Sequence, residues 1–123
     1  MNEVYIAAMA RTPIGSFGGG LASVSAVELA TMVLAEVVSR TGIDANEINE
    51  VFMGNVLTAN TGQAPTRQAV LAAGFPANIA CTTINKVCAS GMKAIMLGAQ
   101  SILTGDNDLV LAGGMESMSN APF

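Results

Sequence analysis

Short apolar runs alternate with helix-like segments along the whole chain, and this alternation constrains the fold more than any other feature. Four apolar runs are expected to form strands, at Val4 to Met9, Val51 to Leu57, Ile79 to Asn85 and Leu109 to Ala112. Three segments between them are expected to form helices, at Ser25 to Val38, Pro65 to Ala73 and Cys88 to Thr104. Strands that alternate with helices are typical of a parallel sheet with helices packed over it. The sequence therefore predicts an α/β fold, a mostly parallel βαβαβαβ sheet covered by helices.

Local signals mark the ends of these helices. Ser25 and Glu28 have the spacing of a capping box, in which each residue satisfies a backbone N–H of the other, and Gly42 suits a helix C-cap. Asp44 and Glu47 predict a further short helical turn. The third helix carries one apolar stripe, formed by Met92, Ile95, Met96, Ala99, Ile102 and Leu103.

The composition excludes several classes of protein. The chain has 123 residues, of which 51% are hydrophobic and only 11% charged, and this excludes a disordered chain. The longest charge-free stretch contains glycine, proline and polar residues, so no apolar run of about 20 residues is available to span a membrane. The net charge is −4 and the five basic residues are scattered, which argues against phosphate neutralisation. We expect neither a nucleic-acid nor a membrane partner.

The cysteine and histidine content limits the kinds of covalent, metal and catalytic sites that the chain can form. The two cysteines, Cys81 and Cys88, make no disulfide framework, and no secretory signal precedes them. This pattern favours a reducing compartment, and we expect the cytoplasm, or the mitochondrial matrix if a transit peptide has been removed. The chain has no histidine, which excludes a histidine-ligated metal and any histidine-containing catalytic triad completed within it. No metal ligand is expected.

In parallel sheets, ligands bind beyond the carboxyl ends of the strands, so three strand-to-helix turns are candidate sites. The glycines between Gly15 and Gly20 fail the dinucleotide-binding spacing and indicate a flexible connection. The paired glycines Gly113 and Gly114 allow a close backbone approach, and we expect another chain segment to make it. Glu116 beside them could act as a base, but a structural carboxylate is the more common finding. We interpret this second turn as structural.

The third turn runs from Asn85 to Gly91 and contains Cys88. A cysteine at the start of a helix feels the positive end of the helix dipole, which favours the thiolate. Backbone N–H groups at the same terminus could bind a developing oxyanion. A buried, inert cysteine is the alternative, and position alone leaves both readings open. Cys81, in the middle of an apolar strand, is expected to be a core residue.

The residues around Cys88 match a known family. The segment Asn85 to Ala94 (Asn-Lys-Val-Cys-Ala-Ser-Gly-Met-Lys-Ala) resembles the nucleophile motif of the thiolases. Four further blocks resemble thiolase motifs in the same order, at Arg11 to Phe17, Met53 to Val56, Gly62 to Ala69 and Ala112 to Ser119. Within the family, the run from Cys81 to Met96 is most similar to the short-chain acetoacetyl-CoA thiolases.

The resemblance implies a thiolase-like fold and an acetyl-CoA C-acetyltransferase activity. Two acetyl-CoA molecules would give acetoacetyl-CoA and coenzyme A, or the reverse, through an acyl-thioester on Cys88. Coenzyme A thioesters would be substrates, and no cofactor is implied. Two alternatives stay open: a longer-chain 3-ketoacyl-CoA thiolase, and a non-catalytic truncated α/β module.

The chain departs from the family in length. Thiolases are much longer and carry Asn-Glu-Ala-Phe, Gly-His-Pro and Cys-x-Gly motifs, with a histidine base and a second cysteine, and none of these motifs occurs here. Residues 1–123 are therefore expected to be a partial thiolase N-terminal domain, lacking the loop domain and the C-terminal domain and inactive alone. The resemblance also implies a homodimer or homotetramer assembled through the strand Ile79 to Ile84.

Overall fold

The structure, a computed structural model, describes residues 2–122. Three helices lie at Ala26–Thr41 (α1), Pro65–Ala72 (α2) and Ser90–Leu103 (α3). Three strands lie at Glu50–Gly54 (β1), Ala80–Ile84 (β2) and Val110–Gly114 (β3). Short 3-10 turns at Ala45–Glu47 and Met118–Asn120 complete the regular structure of the described residues. The predicted α/β class is confirmed.

The three strands form one parallel sheet in the order β2-β1-β3. The registers align Gly54 at the end of β1 with Ile84 of β2 and Gly114 of β3, so all three strands end at one edge of the sheet. Helix α3 packs on the face that carries Val110 and Ala112, against Gly98 of the helix. Helix α2 contacts Thr83, which lies on the opposite face because side chains alternate along a strand. Helix α1 packs on α2.

The main core lies between the sheet and the helices α1 and α2. Its most deeply buried side chains include Val51 and Met53 of β1 and Val70 of α2. The capping box predicted for α1 is present, since Glu28 N–H donates to Ser25 Oγ at 3.1 Å and Ser25 N–H to Glu28 Oε2 at 3.4 Å. Gly42 closes α1 in the left-handed conformation, as predicted. No helix of residues 2–122 is long and apolar enough to cross a membrane.

The strand predicted at Val4 to Met9 is wrong. This segment has no regular secondary structure, and Tyr5, Ile6 and Met9 are each more than 70% exposed. A strand needs a hydrogen-bonded neighbour, and the sheet of the described residues contains only β2, β1 and β3. The segment lines a cavity of about 900 Å³ together with residues of α1, α3 and β3. The segment is instead tethered by side chains: Arg40 Nη1 donates to the Met9 carbonyl, and Asn2 Nδ2 to the Ile102 carbonyl.

Several boundaries also differ from the sequence prediction; α1 continues to Thr41 instead of Val38, and β3 ends at Gly114 instead of Ala112. Strand β1 ends at Gly54 instead of Leu57, because the carboxylate of Glu116, two residues beyond β3, accepts hydrogen bonds from the backbone N–H groups of Val56 and Leu57. Helix α3 begins at Ser90 instead of Cys88, because residues 86–89 form a separate turn.

Candidate active site

The candidate site lies where β1 and β3 end and α3 begins. A cavity of about 590 Å³ is lined there by three segments: Gly54 with residues 56–57, the turn at residues 87–91, and residues 114–118. The predicted nucleophile Cys88 is exposed and lines this cavity, together with Glu116. The structure therefore brings the second and third candidate turns of the sequence into one site.

Backbone contacts fix the start of α3 against the sheet. A Cβ atom added to Gly54 would lie 2.5 Å from the Ser90 carbonyl carbon and 2.7 Å from the Gly91 nitrogen. A Cβ atom on Gly114 would lie 3.3 Å from the Gly91 Cα atom. Only glycine permits this approach, so the close contact expected at the paired glycines is made by the first turn of α3.

The turn that carries Cys88 has an unusual backbone. Val87 has a φ of 51°, in the left-handed region that β-branched residues rarely adopt. Its N–H donates to Asn85 Oδ1 at 2.9 Å, and the N–H of Ala89 donates to the Lys86 carbonyl at 3.1 Å. No side chain caps the N-terminus of α3, within the chain that the structure describes. The Ser90 N–H donates to the Val87 carbonyl at 3.1 Å, and the N–H groups of the first turn of α3 point towards the end of the helix where Cys88 lies.

The two thiols lie in different environments. Cys88 is exposed, whereas Cys81 is half-buried in the edge strand β2 with its Sγ 3.4 Å from the Ile79 carbonyl oxygen. Burial raises the pKa of the Cys81 thiol, and the nearby Arg67 guanidinium opposes that rise only in part. Cys81 is thus less of a core residue than predicted, but it is the less reactive thiol of the two by this argument.

Glu116 has a structural role, as the sequence interpretation proposed. Its carboxylate accepts hydrogen bonds of 2.9 Å from the N–H groups of Val56 and Leu57 and from Asn55 Nδ2. Asn55 is buried and its Nδ2 also donates to the Met115 carbonyl at 3.2 Å. These contacts join the chain beyond β1 to the chain beyond β3, and they occupy the oxygens that a base would need.

Sequence reasoning missed the parts played by Asn55 and Ser90. Ser90 is buried, and its hydroxyl bonds to the backbone of both Lys86 and Val87. Ser90 and Gly54 are distant in sequence, so no local pattern could reveal their contact. Asn55 is paired with residues 60 or more positions away, for the same reason.

Among the described residues, no group of three or more histidine, cysteine, aspartate or glutamate side chains is placed to hold a metal ion. The architecture and the site together define an α/β protein with an accessible thiol at a strand-to-helix turn, facing a cavity beyond the carboxyl ends of its strands.

Residues 4–123 match the family model described as the thiolase N-terminal domain, and the chain belongs to the thiolase family. The acetyl-CoA acetyltransferase of Schizosaccharomyces pombe is 56% identical over 122 residues, which are 99% of this chain and 31% of that protein. The mitochondrial acetyl-CoA acetyltransferase of Mus musculus is 55% identical over 123 residues, which are 100% of this chain and 29% of that protein.

A solved structure has the same fold. The Acat5 thiolase from Ascaris suum, crystallised in complex with coenzyme A, matches with a TM-score of 0.94 and 49% sequence identity. The match covers 97% of this chain and 31% of that chain. The chain thus spans about 30% of the length of these relatives. The predicted family and the thiolase-like fold are confirmed.

Proposed function

We propose that this chain supplies the nucleophile of an acetyl-CoA C-acetyltransferase, with Cys88 as the acyl carrier. The observation that carries the proposal is the position of Cys88, exposed on a 590 Å³ cavity immediately before α3. The relatives named acetyl-CoA acetyltransferase support this activity over that of a longer-chain thiolase.

The first step is acyl transfer to the chain. The Cys88 thiolate attacks the thioester carbonyl of acetyl-CoA, the carbon–sulfur bond to coenzyme A breaks, and coenzyme A leaves as its thiol after it takes a proton. Charge that develops on the carbonyl oxygen is stabilised by the positive end of the α3 dipole and its uncapped N–H groups.

The second step forms the carbon–carbon bond. A base removes a proton from the methyl group of a second acetyl-CoA, and the resulting enolate attacks the acyl-cysteine, which releases acetoacetyl-CoA and the Cys88 thiolate. The proton held by the base balances the one that the leaving coenzyme A takes up. The chain has no histidine, and Glu116 is committed to three hydrogen bonds. We therefore assign the base to residues outside these 123. We expect no metal or redox cofactor, because a thioester already acidifies its neighbouring methyl group.

A chimeric enzyme tests this proposal. The matching 123 residues of the mouse relative are replaced by this chain, and coenzyme A-dependent cleavage of acetoacetyl-CoA is measured. Activity should be retained in the chimera, lost on Cys88→Ala and kept on Cys81→Ala. A folded chimera without activity would favour a non-catalytic module, and activity that survives Cys88→Ala would exclude Cys88 as the acyl carrier.

The proposal includes self-association through β2. This strand lies at the edge of the sheet, and residues 79–84 carry none of the lysine or proline side chains that protect exposed edges. A second copy pairing across a two-fold axis would cover that edge. Thr82 is exposed, whereas Thr83 is engaged with Thr66, so Thr82→Lys is the cleaner test. Sedimentation of the chimera should then show monomers, and an unchanged oligomer would refute this interface.

The compartment is also part of the proposal. The mouse, Xenopus laevis and bovine relatives are named as mitochondrial proteins, which supports the matrix alternative to the cytoplasm. Subcellular fractionation of cells that express the protein distinguishes the two locations.

A further inference from the structure

Val87 adopts its left-handed backbone without help from burial. The side chain is 66% exposed, so packing does not hold the residue in this conformation. A β-branched residue avoids φ values near 51° because its Cβ substituents crowd the backbone. Such strain persists only where surrounding contacts fix it, and strained residues often occur at functional sites. Because Cys88 follows Val87 directly, the contacts that hold Val87 also set the direction in which Cys88 leaves the turn.

One hydroxyl adds two contacts to the bonds from the Val87 N–H to Asn85 Oδ1 and from the Ser90 N–H to the Val87 carbonyl. Ser90 Oγ donates to the Val87 carbonyl at 2.6 Å and accepts from the Lys86 N–H at 2.8 Å, so it joins both sides of the Val87 peptide unit. Ser90 is only 5% exposed. Its backbone is held against Gly54, where an added Cβ would lie 2.5 Å from the Ser90 carbonyl carbon. Ser90 is therefore held in place by the sheet, and its hydroxyl hydrogen-bonds the turn that carries Cys88.

We propose that Ser90 is a positioning residue for Cys88: its hydroxyl holds Val87 in the left-handed conformation and so keeps the thiol at the start of α3. The inference rests on the proposed function only in taking Cys88 as the nucleophile. The Ser90 hydroxyl touches neither substrate nor reacting atoms in this account, because it bonds to the backbone of Lys86 and Val87. Without the hydroxyl, Val87 keeps only the bonds to Asn85 Oδ1 and from the Ser90 N–H, so we expect its backbone to relax towards an ordinary φ and Cys88 to shift away from the start of α3.

The test measures by peptide mapping how fast iodoacetamide alkylates Cys88 at neutral pH in the chimeric enzyme. Ser90→Ala should slow this reaction about twofold to fivefold, the range that corresponds to loss of an exposed group's interaction with a helix terminus. Ser101→Ala is the matched control, because Ser101 Oγ donates to the Gly98 carbonyl at 2.7 Å on the same helix, far along the chain from Cys88. That variant should leave the Cys88 rate unchanged.

A second substitution distinguishes a local effect of Ser90 on Cys88 from a loss of structure in the whole chain. Asparagine tolerates the left-handed region, so Val87→Asn should reduce the need for the hydroxyl. In the Val87→Asn background, Ser90→Ala should slow alkylation by less than about twofold, a non-additivity that a double-mutant cycle detects. An equal effect of Ser90→Ala in both backgrounds would overturn the proposal, as would an unchanged Cys88 rate.

Cys81 serves as an internal control for unfolding. A Ser90→Ala chain that also alkylates faster at the half-buried Cys81 has loosened as a whole, and this result would refute a local role. In the chimeric enzyme, Ser90→Ala should lower kcat about tenfold and leave KM within about twofold, because misplaced reacting groups slow the chemical step. If acetyl-CoA never acylates Cys88, the proposed function fails, while the alkylation comparison still decides the role of Ser90.

Discussion

Replacing Gly54 by alanine should displace the start of α3 and the thiol that precedes it. The new Cβ atom would lie 2.5 Å from the Ser90 carbonyl carbon, and 2.7 Å from both the Gly91 nitrogen and Ser90 Cβ. Non-bonded carbon atoms are most stable about 3.5 Å or more apart, so the strand and the helix must separate by about 1 Å. No rotamer change relieves the contact, because two of the three atoms belong to the backbone.

The expected cost follows from this displacement. Overpacking of a well-packed contact lowers the free energy of unfolding by about 1–3 kcal/mol. A shift of about 1 Å in a catalytic group can reduce the rate by about 10²-fold. A 10²-fold loss of rate corresponds to about 2.7 kcal/mol, so Gly54→Ala should cost turnover of the chimeric enzyme about as much free energy as it costs stability, and it should change kcat more than KM.

Gly113→Ala is the matched control for this prediction. The added Cβ would meet only the flexible Met53 side chain, with Sδ at 3.5 Å and Cε at 3.8 Å, which is ordinary van der Waals contact. The free energy of unfolding should stay the same or rise by up to about 1 kcal/mol, because alanine reduces the conformational freedom of the unfolded chain. Urea unfolding, Cys88 alkylation and turnover are compared for both variants. Equal behaviour of the two variants would refute the argument that backbone contact with Gly54 places Cys88.

Three further predictions concern single side chains. Val87→Gly should raise the free energy of unfolding by about 1 kcal/mol, as relieved strain of about 1–3 kcal/mol exceeds the entropic cost of glycine; urea unfolding checks this, and destabilisation would contradict it. Glu116→Ala should lower the free energy of unfolding by about 2–4 kcal/mol, because three donors, including Asn55 Nδ2, lose a charged acceptor. Urea unfolding measures the change, and a loss below about 1 kcal/mol would contradict the prediction. Limiting iodoacetamide should label Cys88 before Cys81, whose burial-raised pKa delays its labelling to higher pH; peptide mapping that finds Cys81 first would refute this.

Local sequence signals predicted the features that depend on neighbouring residues. The capping box of α1, its glycine C-cap and the position of Cys88 beside a helix start all follow from residues a few positions apart. The alternation of apolar runs and helical segments was likewise sufficient to predict the parallel α/β class. Resemblance to the thiolase motifs then supplied the family, which the comparisons confirm.

The remaining features depend on contacts between distant segments. Val4 to Met9 has the composition of a buried strand, but strand formation needs a hydrogen-bonded neighbour that composition does not reveal. The end of β1 was placed too late because Glu116, about 60 residues away, captures the next N–H groups. The left-handed Val87 was also unforeseen, because its hydrogen bonds override the normal preference of valine.

The most direct test of the account is to locate the acetyl group. Trypsin cuts after Arg67, Lys86 and Lys93, so Cys81 and Cys88 fall in separate peptides, residues 68–86 and 87–93. The chimeric enzyme is mixed with acetyl-CoA and the reaction is quenched in acid. After neutralisation, the protein is digested with trypsin and the peptides are analysed by mass spectrometry. We predict one acetyl group on the 87–93 peptide and none on the 68–86 peptide, with loss of the label in Cys88→Ala. Turnover without acetylation of the 87–93 peptide, or acetylation of the 68–86 peptide alone, would contradict the central claim.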